Sequence, residues 1–380
     1  MNKTDSIKTF FSSLIIGIVW VMALFNAITP NDILSTGSLL LVVIAYFLSE
    51  PNNLPLDKPV KINRFIIIAV FFVWLSVVVS SLVLDKANPL NLTIFRLLVT
   101  NFLIAGMLCF KRFDIVVLKF FYYAIVAYLY YLLVVSGQDA MELFVHSSGA
   151  LVSAILLPLT VTIAYLEYRD SSRISLMPSF LVAILVLNTT SRTGVICSLL
   201  LLSIIFFAGI RNVKNSAVKV IINALFVVAT IYYFQRLFSS ITNMDIYLKF
   251  SEKGVDNEDR ALIWFSYFND NTLQNWLFGV NASMRSILNA FPNNMHNSFI
   301  NLHMQSGIVV SLLVLFAIIK TLFVNIKRRQ FFYASLLFVL ILYGFYNALA
   351  FFTYYDFVFY VLVFNRLLPT ERKQLSLSLI

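Results

Sequence analysis

Long apolar runs recur through almost the whole chain, and this pattern limits the fold more than any other feature of the sequence. A helix needs roughly 20 apolar residues to cross the hydrocarbon core of a bilayer. Apolar residues make up 60% of the 380 residues and charged residues 12%, whereas a soluble domain has about 25% charged residues. The sequence therefore predicts an all-α polytopic membrane protein, with residues 1–380 forming a single integral membrane domain.

About twelve apolar runs are candidates for membrane-spanning helices. Those before the largest polar segment are Phe10–Ile28, Ile33–Ser49, Phe65–Leu84, Asn91–Phe110, Ile115–Ser136, Gly149–Leu166, Leu176–Asn188, Gly194–Ile210 and Ala217–Phe234. Those after it are Ile308–Asn325, Phe332–Phe352 and Tyr355–Leu368. The second, seventh and last runs are short, so ten or eleven spans remain the alternative. The first run is too long for a signal peptide and lacks a cleavage site, which favours a retained helix.

Lysine and arginine are concentrated in every second loop. Cytoplasmic loops of membrane proteins carry an excess of these residues, and the alternation fits if the N-terminus, with Lys3 and Lys8, is cytoplasmic. The other loops carry little positive charge, with Lys86 in one and Arg192 alone in another. The pattern predicts a multi-pass protein of a bacterial inner (plasma) membrane, with both termini cytoplasmic. The net charge of +10 does not indicate nucleic-acid binding, because the positive residues set topology.

The largest polar segment runs from Arg236 to Gly307 and is roughly seventy residues long. The same alternation places it outside the cytoplasm, on the side of Arg192. We therefore expect one large periplasmic or extracellular loop, residues 235–307, that carries short helices. Two separated polar elements, this loop and the segment around Arg192, converge on one membrane face.

Arg192 lies between two apolar runs, in Asn188-Thr-Thr-Ser-Arg-Thr-Gly194. Gly194 can begin or kink the next helix, and Ser191 or Thr193 can cap its N-terminus, where free N–H groups favour anions. An arginine adds a bidentate donor for phosphate. The alternative is an arginine that reaches lipid headgroups. Its location favours anion binding, because the positive-inside bias predicts no arginine on the outer side.

Arg260 begins a short amphipathic stretch that follows Asp256 and Glu258. It pairs with one of these carboxylates on a surface helix, or it binds an anionic substrate. Trp264 lies at the membrane interface, as aromatic residues of such loops often do, or it stacks on a sugar. Arg285 in the same loop is a further candidate for substrate binding.

His296 is one of three histidines, and imidazole titrates where a general base is useful. His303 follows seven residues later, about two helical turns. Metal pairs usually show a spacing of three or four residues together with further ligands, so we expect neither a metal nor another cofactor. In isolation His296 fits a structural role better than a catalytic one. Arg96, near the outer end of its helix, can join an anion site.

Four motifs occur in an order that resembles a known family. They are Ser191-Arg-Thr-Gly194 before an apolar helix, Arg260-x-x-x-Trp264, Trp276-Leu-Phe-Gly-Val, and His296-Asn-Ser-Phe-Ile followed by Gly307 and a further helix. This order is similar to the bacterial O-antigen polymerase and O-antigen ligase superfamily. The likeness is concentrated between about Gly149 and Asn325, and the usual Ser-Arg-Gly form reads Ser-Arg-Thr-Gly here.

The resemblance implies an inverting, metal-independent glycosyl transfer from an undecaprenyl-diphosphate-linked glycan. It assigns Arg192 and Arg260 to the diphosphate and His296 to the acceptor hydroxyl or to the phosphate. Arg96, Trp264, Arg285 and Asn297 are the further substrate-binding candidates. The carboxylates of the same loop are alternative bases, namely Glu258, Asp259 and Asp270.

Polymerase and ligase share these motifs and differ in the acceptor. A polymerase joins lipid-linked repeat units and is expected to work beside a flippase and a chain-length regulator, whereas a ligase transfers the glycan to lipid A–core. The chain length and the large loop favour the polymerase by resemblance. A polysaccharide transporter or flippase is a third interpretation, but transporters place polar residues near the bilayer midplane, and here they gather in one loop.

Overall fold

The computed structural model describes most of the chain, and the fold below concerns those residues only. They are residues 3–49, 59–86, 90–140, 142–144, 150–171, 174–189, 191–210, 258–269, 271–281, 297–347, 351 and 353–365. For residues 3–4, 59–67 and 258–262 it describes the backbone but not the side chains.

The described residues form α-helices and no β-strand, which confirms the all-α class. The helices before the large polar segment are α1 (Lys3–Ile28), α2 (Asp32–Leu48), α3 (Pro59–Val83), α4 (Leu92–Phe110), α5 (Ile115–Tyr130), α6 (Ala150–Ser171), α7 (Met177–Leu187) and α8 (Arg192–Ile210). Those within and after it are α9 (Glu258–Asn269), α10 (Leu273–Phe278), α11 (Ser298–Lys327), α12 (Phe331–Tyr346) and α13 (Phe357–Asn365).

Six of the described helices are long and apolar enough to cross a membrane. These segments are Asp5–Ile28, Leu92–Phe110, Ile115–Val135, Ala150–Ser171, Arg192–Ile210 and Ser298–Lys327. Four further apolar helices are shorter: Asp32–Leu48, Ile68–Val83, Met177–Leu187 and Phe331–Tyr346. The predicted span Ala217–Phe234 lies outside the described residues. A helical membrane protein is therefore supported, while twelve spans and their orientation stay predictions.

Contacts between Cα atoms divide the chain into two compact units. Unit 1 comprises Met1–Tyr122 and Arg260–Ile380, and unit 2 comprises Tyr123–Asp259. Residues from both ends of the sequence therefore build unit 1, and the segment between them builds unit 2.

Unit 1 is organised around α4 and α11. Helix α4 packs against α2, α3 and α13, and α11 packs against α3, α10, α12 and α13. The amide of Asn101, in the middle of α4, is 1% exposed. It donates to the carbonyl oxygen of Thr353 at 2.6 Å and accepts from the N–H of Phe357 at 3.0 Å. A buried amide must be hydrogen-bonded to avoid a large desolvation cost, so Asn101 fixes the start of α13 against α4.

Unit 2 contains a helix that is buried along most of its length. Residues Leu151–Glu167 of α6 are all buried, and α6 packs against α7 and α8. A helix that is apolar on every side belongs in an interior. Its hydroxyl groups bond to their own backbone, as Thr160 does to the carbonyl of Leu156 at 2.7 Å. Polar side chains are thus accommodated without interrupting the apolar packing.

Candidate functional site: a polar end of unit 1

Polar side chains gather where several helices of unit 1 begin or end. At the starts of α2 and α4, Arg96 donates to Asp32 Oδ1 at 3.1 Å and to Thr36 Oγ1 at 2.6 Å. At the start of α11, Ser298 donates from Oγ to the carbonyl of Asn347, at the end of α12. These contacts define the polar end of unit 1, which also includes the loop after α3 and the short helices α9 and α10.

Asn297 caps the N-terminus of α11. Its Oδ1 accepts from the N–H groups of Phe299 at 2.9 Å and Ile300 at 3.1 Å. The side chain is 3% exposed. The first N–H groups of a helix have no partner within the helix, and an Asn side chain supplies one. Asn297 therefore fixes the point at which α11 begins, directly after His296.

His303 connects three helices through its two ring nitrogens. Nδ1 lies 2.5 Å from the hydroxyl oxygen of Tyr267 on α9, and Nε2 lies 2.8 Å from the carbonyl oxygen of Trp276 on α10. A carbonyl can only accept, so Nε2 carries the proton and donates to Trp276. In the neutral ring Nδ1 is then an acceptor, and the Tyr267 hydroxyl donates to it. His303 is 6% exposed, so this arrangement satisfies a buried ring completely.

An apolar cluster surrounds this network. Its buried members are Ile263 and Tyr267 of α9, Val280 after α10, and Ile300 and Met304 of α11. In each of the two helices the buried pair is four residues apart, which places both members on one helical face. The cluster attaches α9 to α11 through apolar contact and a shared hydrogen bond.

Helix α11 is broken at Gly307, where a neighbouring segment comes into close contact. Gly307 has φ 77° and ψ −179°, a conformation that is essentially limited to glycine. A Cβ atom there would lie 2.2 Å from the carbonyl oxygen of Leu277. Gly279 has φ 92°, and a Cβ atom on it would lie 2.4 Å from the carbonyl oxygen of Met304. Two glycines thus let the backbones of α10 and α11 touch.

Lys86 supports the carbonyl that the break exposes. Its Nζ donates to the carbonyl of Met304 at 3.0 Å and to Ser80 Oγ at 2.8 Å. The N–H of Val280 donates to the same carbonyl at 3.0 Å. A cation is favourable at the C-terminal end of a helical segment. Burial disfavours the charged form and lowers the pKa of Lys86 from 10.5 to about 8.

In unit 2, Arg192 is the first residue of α8. The Oγ atom of Ser191 accepts from the N–H of Gly194 at 3.1 Å. Of the two residues predicted as possible caps, Ser191 and Thr193, Ser191 therefore caps the helix. Gly194 lies against α6, because a Cβ atom on it would meet Ser153 Oγ at 2.5 Å. The arginine therefore stands at a capped and tightly packed helix start.

The predicted site residues fall into three groups. Arg192, Arg96 and Asn297 have described side chains, and Arg96 forms an ion pair with Asp32. Trp264 is half-buried, and its ring packs edge-on against Phe345 with 5.5 Å between centroids.

Arg260 belongs to α9, where the backbone is described. His296 and Arg285 lie outside the described residues. So do Asp270, one of the candidate bases, and Asp256, one of the candidate ion-pair partners of Arg260. Within the described part of the chain, no three His, Cys, Asp or Glu side chains lie together as metal ligands would.

Three contributors to this site were not predicted in their actual roles: Tyr267, Lys86 and the pair of glycines. Lys86 did carry a signal, because it is a lysine in a loop where the charge pattern predicts none. Gly307 carried another, because a glycine directly before an apolar run is unfavourable to a continuous helix. The partner of each residue is distant in sequence, as with Lys86 and Met304, and no local pattern reports such a contact.

Comparison of the chain with models of known protein families, with curated proteins and with solved structures gives no match.

Proposed function

We propose that this protein is a membrane glycosyltransferase of the O-antigen polymerase type, which joins undecaprenyl-diphosphate-linked oligosaccharide repeat units at the outer face of a bacterial inner membrane. The reaction is inverting and needs no metal or other cofactor. The acceptor hydroxyl of one lipid-linked unit attacks the sugar carbon that carries the diphosphate of the other. That carbon–oxygen bond breaks, and the lipid diphosphate leaves.

The observation that supports this proposal most is the joining of α9 and α11. Arg260 lies in α9, and Asn297 of the histidine motif caps α11, so two of the motifs that carry the resemblance reach two helices that are bonded to each other. The bond is that of Tyr267 to His303, at 2.5 Å. The motif around Arg192 forms the capped N-terminus of α8, in unit 2.

The resemblance gives each of these residues a role, and the chemistry of the reaction fits these roles. Negative charge develops on the leaving diphosphate, and arginine donors directed at it stabilise the transition state. Arg192 and Arg260 take this role. The attacking hydroxyl must lose a proton to a base within hydrogen-bond reach, and His296 takes that role on the acceptor side. Loss of one charge-assisted contact costs about 3 kcal/mol, or roughly a hundredfold in rate.

The test is a glycan gel from a strain that lacks this chain, complemented with wild-type protein or with single variants. We expect Arg192→Ala, Arg260→Ala and His296→Ala each to abolish long polymer while the protein still inserts. The matched control is Arg328→Ala, an exposed arginine at the C-terminal end of α11, which should restore the full ladder.

The deletion strain itself separates the alternatives. A lipid A–core that carries a single repeat unit supports the polymerase. Bare core, with long polymer on the lipid carrier, identifies a ligase. An unchanged ladder in the deletion strain, or near-normal polymer in all three variants, would contradict the proposal.

A further inference from the structure

Lys320 is a charged residue inside α11, a helix that is long and apolar enough to cross a membrane. It is the single charged residue between Ile308 and Ile326, a stretch about 28 Å long at 1.5 Å per residue. The hydrocarbon core of a bilayer is about 30 Å thick, so this stretch has the length of one span. An ionisable residue within a span is costly and indicates a function.

The side chain of Lys320 lies on the exposed side of α11. The buried side of the same turns carries Thr321 and Asn325, which are both 0% exposed. Ionisable residues in membrane spans usually face the interior of the helix bundle, where protein groups compensate the charge. Lys320 faces the other way, so its charge is compensated at the outer surface of the helix.

The described residues supply Lys320 with an aromatic contact and no carboxylate. Its Nζ atom lies 5.5 Å from the centroid of the Phe316 ring. The ion pairs of the described residues are those of Arg96 with Asp32 and of Arg169 with Asp170. The attraction between a cation and an aromatic ring is weak compared with that of a full counter-ion. An anion at the surface of α11 would therefore be favourable.

Lys320 belongs to a row of exposed side chains that ends at a second cation. Phe316, Phe323 and Lys327 lie four residues before it, three after it and seven after it, and residues at these spacings share one helical face. Phe316 is 60% exposed, Phe323 is 67% exposed, and Lys327 is also exposed. We call these four residues the α11 stripe. Its two ammonium-bearing residues are about 10.5 Å apart along the helix axis.

The α11 stripe fits a phospholipid whose headgroup has a net negative charge. Lysine binds phosphate as a point charge, and two lysines on one face can approach a phosphate from both sides. A lysine stem lies along apolar surface while its ammonium group reaches a polar partner, so Lys320 can reach a headgroup at the end of the helix that carries Lys327. The acyl chains then contact Phe316 and the exposed apolar residues that continue toward Gly307, namely Val309, Leu312 and Leu313.

Two other occupants fit this surface less well. A second copy of this chain, related by a two-fold axis along the membrane normal, would bring its own Lys320 to the same depth, and the two like charges would repel each other. A zwitterionic phospholipid also has a phosphate, but its own cationic group already compensates that charge. The two lysines therefore favour an anionic lipid over both.

We propose that the α11 stripe is a binding site for an anionic phospholipid, with the phosphate bound by Lys320 and Lys327 and the acyl chains packed along Phe316. The site does not depend on the glycosyl transfer proposed above, because it uses none of the residues assigned to that reaction. The bound lipid supplies the counter-ion that the described residues do not supply.

The experiment is native mass spectrometry of the purified full-length protein, with phosphatidylglycerol or phosphatidylcholine of identical acyl chains added to the detergent. We expect the wild type to bind the first phosphatidylglycerol at least tenfold more tightly than phosphatidylcholine. Lys320→Leu should weaken phosphatidylglycerol binding about five- to tenfold, because one lysine near the membrane surface contributes about this factor for an anionic lipid. Lys320→Arg keeps the charge and should bind within about twofold of the wild type.

Two controls separate a defined site from general charge and from misfolding. Lys8→Leu removes another exposed lysine, near the start of α1, and should change the dissociation constant less than twofold. Leucine is compatible with a position that faces lipid, so Lys320→Leu should melt at or above the wild-type temperature in phosphatidylcholine nanodiscs. In phosphatidylglycerol nanodiscs the wild type should gain more in melting temperature than Lys320→Leu does, because a bound ligand stabilises the folded state.

Three results would overturn the proposal. The first is a wild type that binds both lipids equally well. The second is an equal loss of binding in Lys8→Leu and Lys320→Leu, because binding would then follow the total charge and not one site. The third is wild-type affinity for phosphatidylglycerol in Lys320→Leu, which would leave a carboxylate on a partner membrane helix as the counter-ion of Lys320.

Discussion

Replacement of Gly307 by alanine tests whether the break in α11 is built into the fold. The backbone there has φ 77° and ψ −179°, and forcing a residue with a Cβ atom into this region costs about 1–3 kcal/mol. The added Cβ atom would also lie 2.2 Å from the carbonyl oxygen of Leu277. Relieving such an overlap in a packed site costs about 1–3 kcal/mol. The two effects together predict a loss of about 2–6 kcal/mol in the free energy of unfolding.

Two other glycines separate these contributions. Gly137 has φ 66° with nothing within 4 Å of an added Cβ atom, so Gly137→Ala should cost only backbone strain, about 1–2 kcal/mol. Gly209 lies in α8 with nothing within 4 Å, and alanine there should be neutral or stabilising by up to about 1 kcal/mol.

The assay is equilibrium unfolding of the purified protein in mixed detergent micelles, with wild type and the three variants side by side. We expect the order of stability Gly209→Ala, Gly137→Ala, Gly307→Ala, from highest to lowest. A Gly307→Ala protein as stable as Gly209→Ala would refute the reasoning, since α11 would then be able to continue as an unbroken helix without displacing α10.

Two further predictions concern single side chains. Gly194→Ala should lower the free energy of unfolding by about 1–3 kcal/mol, because the new Cβ atom would meet Ser153 Oγ at 2.5 Å and Ser153 Cβ at 2.7 Å. Adding Ser153→Gly to this variant should recover part of the loss. No recovery would contradict the close contact between Gly194 and Ser153. Lys86 should react with an amine-specific acylating reagent half-maximally near pH 8, because burial lowers its pKa to about 8, whereas an exposed lysine has a pKa of about 10.4. Peptide mass spectrometry after labelling at several pH values measures this, with Lys86→Arg to identify the peptide, and a midpoint above pH 10 would show that the side chain is solvated.

Local patterns were sufficient to find the helices. The predicted span Asn91–Phe110 corresponds to α4, Leu92–Phe110, and the predicted span Leu176–Asn188 corresponds to α7, Met177–Leu187. Apolar length determines both, since a long apolar run must satisfy its own backbone bonds and a helix does so within the run. The capping role of Ser191 was also predictable from a local pattern, because the N–H group that it binds is only three residues away.

One helix boundary and one side-chain contact show what such patterns do not determine. The run Ile308–Asn325 predicted a helix that begins after Gly307, but α11 starts at Ser298 and continues to Lys327 with a break inside it. The polar residues before Gly307 are helical because Asn297 caps them and because α9 and α10 bury one side. Arg96, a candidate for an anion site, pairs with Asp32 of α2, a residue sixty-four positions away, and no local pattern indicates this partner.

The sequence by itself determined the membrane class, the positions of most described helices and the motifs that suggest glycosyl transfer, because apolar length, capping and motif order are local properties of the chain. Only the tertiary structure decided which residues meet. The bond from Tyr267 to His303, the support of the Met304 carbonyl by Lys86 and the contact of α10 with Gly307 each join residues from separate elements. Such contacts depend on how helices pack, and packing is set by the whole surface of each helix rather than by any stretch of its sequence.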